Sequence, residues 1–301
     1  MNLNYQDLKN RFGESIHKDE KLSKYNWFNL GGNAELFFKA KSLEELKSFI
    51  KYLKKFNIKI NIIGAGSNLL IRDGGIKEVT IKLGSKFSYL NLIDENTIEV
   101  GAATLDRKIA DFALQNSLSG LEFLSCIPGT IGGGVIMNSG CYGYDISKIV
   151  KSVKFIDKDG EIKEMPSSEI KFFYRGSSFN PELIIVSVQL IGKKNKQTDI
   201  EKKQLEFIER KKISQPSQIK TCGSTFKNPT EKKAWKLIKD TGCHIMTVGK
   251  AKISEKHCNF FINEGGAKSS EIEELINKVK KKVFEKTGID LELEIKIIGQ
   301  K

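Results

Sequence analysis

An α+β fold in more than one domain is what this sequence predicts, on three observations. Its 301 residues exceed what one compact core usually fills. Stretches with the 3.6-residue periodicity of amphipathic helices alternate with short apolar runs bounded by turn residues. The stretch GKKNKQTDI (192–200) is almost free of apolar residues, which marks a domain boundary.

The elements follow in order. AELFFKA reads as a strand and INIIG as another. Between them SLEELKSFIKYLKKF (42–56) reads as a helix: Ser42 and Glu45 have capping-box spacing, and Leu43, Leu46, Phe49, Ile50 and Leu53 form one apolar stripe. A second helix is expected over 104–117, with Leu105, Ile109 and Phe112 on one face. Strands are expected at 77–83, 97–103, 150–157 and 183–190, with DKDG (157–160) as a hairpin turn. Beyond the boundary come a charged helix (199–212), a short helix around AWKLIKD and a strand at HCNFFIN. A long helix from Ser270 buries Ile272, Leu275, Ile276, Val279 and Val283 and ends at Gly288. LELEIKIIG (291–299) alternates strictly, as a half-buried strand does, with Glu292, Glu294 and Lys296 on its polar face.

Composition narrows the function. The 39% hydrophobic content is that of a globular protein, and no run approaches the roughly 20 apolar residues of a membrane span. MNLNYQDLKNRFGES has neither the basic nor the apolar region of a signal peptide, so a cytoplasmic protein without membrane insertion is expected. Five scattered cysteines without a Cys-x-x-Cys spacing argue against a disulfide frame and against a metal site. The net charge of +13 comes from lysines spread along expected helices, as in KYLKK and NKVKKK; solvated faces follow, with no nucleic-acid partner. Only five of the 50 basic residues are arginine: Arg11, Arg72, Arg107, Arg175 and Arg210. In so lysine-rich a chain, each arginine raises the question of whether its planar fork is required.

Two glycine loops stand out. INIIGAGSNLLIRDGG (60–75) begins like a dinucleotide fingerprint but has Leu69 in place of the third glycine, and no acidic residue follows at the right distance. Gly64-Ala65-Gly66-Ser67-Asn68 is then either a plain turn or a nest of backbone N–H groups for an anion. PGTIGGGVIMNSGCYG (128–143) holds six of the 26 glycines. Such density points to close backbone approach, either of another strand or of a large phosphate-bearing cofactor lying across both loops. A third run, KTCGSTFKNP (220–229), carries Ser224 outside any Gly-x-Ser-x-Gly frame. None of His17, His244 and His257 lies in a recognisable triad context, so Ser224 is either a turn residue or something other than a nucleophile.

Seven motifs in order, YNWFNLGG, GAGSNLLIRDGG, GLEFLSCIPGTIGGGVIMNSGCYG, YRGSSF, GSTFKNP, HCNFFIN and LELEIKIIG, resemble the bacterial UDP-N-acetylenolpyruvoylglucosamine reductases from about residue 22 to residue 299. The likeness is to the shorter form, which lacks an extra substrate loop. It implies an α+β chain with a two-part FAD-binding region of the vanillyl-alcohol-oxidase type, followed by a smaller α+β substrate-binding domain. On that reading residues 1–21 are an N-terminal segment. Residues 22–195 bind FAD in two lobes (about 22–85 and 86–195), and 196–301 bind substrate, the terminal strand returning to the active site. The resemblance implies NADPH as hydride donor and UDP-N-acetylglucosamine enolpyruvate as substrate, reduced to UDP-N-acetylmuramate for peptidoglycan by a monomer.

Residue by residue, the resemblance assigns FAD to Gly64, Ala65, Gly66, Ser67, Asn68, Leu69, Ile127, Pro128, Gly129, Thr130, Gly132, Gly133, Asn138 and Gly140. Hydride addition at C3 of the enolpyruvyl group drives charge through C2 into its carboxylate, which calls for electrostatic stabilisation there. Arg175 matches the family's arginine, whose fork suits a carboxylate. Glu294 matches the family's acid, which donates a hydrogen bond if a raised pKa keeps it protonated. Ser224 matches the proton donor to C2. Tyr174, Lys227, Asn228 and His257 match substrate-contacting positions. Lys211 and Lys296 stand where arginines are usual, so charge survives and the fork does not. Ser214, His244 and Ile245 depart from the family's pattern around the substrate's phosphates. The rival readings are another FAD-dependent oxidase or dehydrogenase of the same cofactor fold, and a basic polymer-binding protein with no flavin.

Overall fold

The computed structural model describes residues 3–301; residues 1 and 2 of the expected N-terminal segment lie outside the described residues. The chain forms two compact units. One holds the chain up to Lys18, Leu36–Ala65 and Glu78–Lys211; the other holds Asp19–Glu35, Gly66–Lys77 and Lys212–Lys301.

The first unit has two hydrophobic cores. One lies under a sheet ordered Ile16–Lys21, Asn33–Ala40, Ile76–Leu83, Ile60–Ile63, the last two strands being parallel. The expected helix, Leu43–Lys54, closes this core through Leu46, Phe49, Ile50 and Leu53. Half of the expected capping box forms: Ser42 accepts from Glu45 N, whereas the Glu45 carboxylate reaches past the N-cap and accepts from Lys41 N. The second core lies under an antiparallel sheet ordered Ile162–Pro166, Val150–Ile156, Ile184–Ile191, Thr97–Gly101, Leu90–Leu92. DKDG closes its first hairpin: Gly160, at φ 76°, donates to Asp157 O. The helix Asp106–Gln115 packs Ile109, Ala110 and Ala113 into this core.

The charged helix runs over Gln197–Ser214, and most of its length belongs to the first unit. Phe207 enters the second core and the Gln204 amide donates to Ala110 O at 2.8 Å. Those two anchors hold it there despite a surface of lysine and glutamate.

The second unit is built on the helices Ala234–Asp240 and Ser269–Thr287 and an antiparallel sheet of Thr247–Val248, Ala251–Ile253 and Phe261–Asn263. The long helix buries the expected stripe, Ile272, Leu275, Ile276, Val279 and Val283, and ends at Gly288 with φ 71°. Asp73 accepts from Ser269 N and Ser270 N, satisfying two amides of its first turn. The terminal strand is shorter than its alternation predicts. Regular pairing covers only Lys296–Ile298, parallel to Leu69–Ile71. Before it the chain bends, because Glu294 N and Ile295 N both donate to Thr225 O, at 2.9 and 3.5 Å.

Candidate functional site

In the first unit the glycine-rich run starts a short helix, Ile131–Met137, and ends it at Asn138 in the left-handed conformation, φ 42°. Several glycines here answer to packing inside the protein. A Cβ on Gly64 would lie 2.6 Å from Thr130 Oγ1, and one on Gly140 would lie 2.1 Å from Tyr144 O in the adjoining hairpin. A Cβ on Gly132 would lie 3.1 Å from Ala102. Gly133 is different: its φ is not positive, it is exposed, and a Cβ there would meet nothing nearer than Thr130 Oγ1 at 3.7 Å. Glycine inside a helix costs about 1 kcal/mol relative to alanine, so a bare helix face is kept here without a need inside the protein. Such a face fits a large cofactor lying against the backbone. Asn138 is engaged on both sides, donating to Phe173 O and accepting from Ser147 N, each at 3.0 Å.

Those hydrogen bonds hold the hairpin that carries Arg175. Phe173 pairs with Gly176, leaving Tyr174 and Arg175 as its two-residue turn. Arg175 has φ 57°, a conformation disfavoured for a side chain with a Cβ. Its guanidinium donates to Gly140 O at 2.8 Å and lies 4.9 Å from the Tyr174 ring, which is 48% exposed. Backbone strain at a charged, half-buried residue is the kind of outlier that clusters at functional sites.

Three further ionisable groups sit close to these loops. Lys211 donates to Cys126 O at 2.8 Å, immediately before Ile127 and Pro128, and burial lowers its pKa. Lys82 donates to Gly64 O, and burial, with the Lys39 charge, lowers its pKa. Asp106 is fully buried beside the run: its N–H donates to Gly129 O at 3.2 Å, and neither carboxyl oxygen has a partner among the described residues. Burial pushes its pKa up to about 8. Sequence reasoning missed Lys82 and Asp106, since IKEVTIKL and LDRKIADFALQ read as ordinary amphipathic elements.

In the second unit Gly66–Asn68, GSTFKNP and the terminal segment are stitched together largely by backbone. Gly66, at φ 68°, could carry no Cβ, which would fall 1.9 Å from Tyr25 O. Asn68 donates to Glu294 O at 3.0 Å and accepts at its own carbonyl from Lys296 N at 2.9 Å. Thr225 N donates to Asn259 O, Glu294 N to Thr225 O, and Lys227 N to Glu292 O, all within 2.9 Å. Ser224 is bridged to Phe260, and Phe226 to Leu293. Ser224 and Glu294 therefore lie on neighbouring segments, both half-buried. The exposed Glu292 carboxylate pairs with the Lys227 amine.

The remaining assigned positions surround this network. Asn228 accepts from Ala234 N at 3.1 Å, tying GSTFKNP to the start of the Ala234–Asp240 helix. His257 is half-buried, with its Nδ1 accepting from Asn259 N at 3.3 Å; burial lowers its pKa. His244 has a buried Nδ1 without a partner among the described residues, Ile245 is 77% exposed, and Lys296 faces solvent. Among the described residues no cluster of histidine, cysteine and carboxylate could hold a metal, and no helix is long and apolar enough to cross a membrane.

Residues 34–166 match the FAD binding domain family, which places the chain among FAD-dependent oxidoreductases. Residues 215–298 match the family described as UDP-N-acetylenolpyruvoylglucosamine reductase, C-terminal domain. The UDP-N-acetylenolpyruvoylglucosamine reductase of Pelagibacter ubique is 45% identical over 294 residues, 96% of each chain. That of Orientia tsutsugamushi is 45% identical over 287 residues, 94% of each. The crystal structure of the Thermus caldophilus enzyme superposes with a TM-score of 0.83 at 31% identity, covering 94% of this chain and all of that one. The chain belongs to the UDP-N-acetylenolpyruvoylglucosamine reductase family. Its fold class is accordingly α+β, an FAD binding domain followed by the family's C-terminal domain.

Proposed function

We propose that this chain reduces UDP-N-acetylglucosamine enolpyruvate to UDP-N-acetylmuramate for peptidoglycan, with NADPH as hydride donor, as a cytoplasmic monomer. The observation that carries the reading is the juxtaposition of Ser224 and Glu294 on one hydrogen-bonded network, in the region matching the family's C-terminal domain. When bound, FAD would supply the redox chemistry, taking hydride from NADPH and delivering it to C3 of the enolpyruvyl group. Ser224 then gives its hydroxyl proton to C2; a serine in that role acts as an acid and needs no triad base. Arg175 offers its fork to the enolpyruvyl carboxylate, where negative charge develops. Glu294, protonated, donates a hydrogen bond to the same charge.

The cofactor falls to residues within 22–195: Gly64 through Leu69, Ile127 through Thr130, Gly132, Gly133, Asn138 and Gly140. Lys82 and Lys211 add positive charge beside these loops. The substrate falls to residues within 196–301, with Lys227, Asn228 and His257 on the nucleotide and Tyr174 contributed from the Arg175 turn. Anaerobic stopped-flow tests the reading. NADPH should bleach the flavin absorbance, and the enolpyruvyl nucleotide should restore it; reduced flavin that persists with the nucleotide present rejects the assignment.

A further inference from the structure

Two thiols bracket the glycine run of the first unit. Cys126 immediately precedes Ile127 and Cys141 immediately follows Gly140, so every position of that run assigned to FAD lies between them. No Cys-x-x-Cys spacing announces the pair; the fold makes it. The short 3-10 turn Glu122–Cys126 packs on Gly140–Cys141, and the Cys141 thiol lies 3.7 Å from Phe123 O. The two sulfurs are within hydrogen-bonding reach of each other. Cys126 is buried in the second core, Cys141 is half-buried against it, and both are free thiols.

Their surroundings favour a thiolate on Cys126. Hydrogen bonding from Cys141, reinforced by the Ser125 hydroxyl and the Lys211 charge, holds its pKa below the ordinary thiol value in spite of burial. Cys141, which supplies that hydrogen bond and is itself desolvated, has its pKa raised. A thiolate beside a neutral thiol and a cation is what a peroxide-reactive cysteine with its resolving partner requires. Two of the other cysteines differ: burial pushes the Cys222 thiol up to about 12 and raises that of Cys258.

We propose that hydrogen peroxide converts Cys126 and Cys141 to a reversible disulfide, and that this bond weakens the hold of the glycine run on FAD. The Cys126 thiolate attacks one peroxide oxygen; the O–O bond breaks, and the hydroxide that leaves takes a proton from solvent. The Cys141 thiol then attacks the sulfenic sulfur. The S–S bond forms, the S–O bond breaks, and the departing hydroxide takes the Cys141 proton. Two thiols are oxidised by two electrons, and one peroxide is reduced to two waters. Closing the gap to a bond of about 2 Å draws the two ends of the run together. Each end is tied to a cation: Cys126 O accepts from Lys211 and Gly140 O from Arg175, both at 2.8 Å. Ile127 and Gly140 shift with the sulfurs, and a surface shaped to the cofactor loses its fit. In a reducing compartment such a bond is transient and reports oxidant. The second half of the proposal rests on the assignment of this run to FAD.

Treatment of the FAD-loaded protein with hydrogen peroxide, followed by alkylation and peptide mass mapping, tests the first half. A Cys126–Cys141 cross-link should form, reverse with dithiothreitol, and be absent from Cys126→Ser and Cys141→Ser. Flavin fluorescence on dilution tests the second. The cross-linked protein should hold FAD at least about fivefold more weakly and recover on reduction, while peroxide should leave both serine variants within about twofold of their untreated affinity. Intact thiols, Cys126 sulfinic acid without a cross-link, or a cross-link through another cysteine overturns the proposal. So does a Cys126–Cys141 cross-link that leaves FAD affinity unchanged. Failure of the proposed function is separate: it would show in untreated protein, as reduced flavin that the enolpyruvyl nucleotide does not reoxidise.

Discussion

The Tyr174–Arg175 turn with its neighbouring glycine run, and the Ser224–Glu294 network, are built on opposite principles. The first is full of unmet demands: an arginine at φ 57°, a buried carboxyl without a partner, and a glycine in a helix that nothing inside the protein requires. In the second it is the backbone that is saturated, although the buried Thr225 hydroxyl has no partner among the described residues. Asn259 alone accepts from Phe226 N, donates to Phe226 O and accepts at its carbonyl from Thr225 N. Local strain persists where a surface must meet something other than protein, whereas a group that delivers a proton to one atom needs a backbone that leaves it one position.

The largest effect should come from the saturated side. Ser224→Ala removes the proton and leaves the backbone pairing intact, so reoxidation by the enolpyruvyl nucleotide should slow by about a thousandfold. Flavin reduction by NADPH should change less than threefold. Stopped-flow traces of the two half-reactions read both numbers, and equal losses would remove the proton-donor role.

Next in size is a stability effect on the unsatisfied side. Asp106 is held protonated in the folded chain, its pKa pushed up to about 8 by burial, whereas the unfolded chain ionises near the ordinary 3.8. Between those values the folded state binds the extra proton, so stability is highest at low pH and is lost as pH rises towards 8, the reverse of the usual aspartate. From pH 5 to pH 8 the loss from this group is on the order of 3 kcal/mol. Asp106→Asn cannot ionise, so urea midpoints of the variant should fall less over that range than those of the parent. Parallel pH profiles would mean that Asp106 is solvated or paired.

Arg175→Lys keeps the charge, loses the fork and leaves the left-handed turn in place. The enolpyruvyl half-reaction should drop about a hundredfold, the scale of losing one oriented donor to a developing oxyanion. Turnover near that of the parent would show that charge alone suffices at this turn.

Much of this architecture could be read from the chain itself, and what could not has a common cause. The helices Leu43–Lys54 and Ser269–Thr287 were readable because capping residues and apolar stripes are local. The bend before Lys296 was not, because it depends on Thr225 O, some seventy residues earlier in sequence. Strict alternation in LELEIKIIG records which side chains face inward and says nothing of where the ladder breaks. Asp106 and Lys82 were hidden for the same reason: each occupies a polar position in a regular pattern and is buried by distant segments. The motif GSTFKNP marked Ser224, but its company came from backbone hydrogen bonds that no spacing rule encodes.

The smallest expected effect asks whether the unmet demands belong to a ligand. At Gly133 alanine would clash with nothing in the protein and would remove the helix penalty of glycine, so Gly133→Ala should stabilise the flavin-free chain by about 1 kcal/mol. If the bare face is where the cofactor lies, the added methyl group occupies its space. Thermal unfolding should then show opposite signs, a higher midpoint without FAD and a smaller rise on adding it. A midpoint that rises equally in both states would mean that Gly133 faces only solvent, and the cofactor would have to be sought along Gly64 and Thr130 instead.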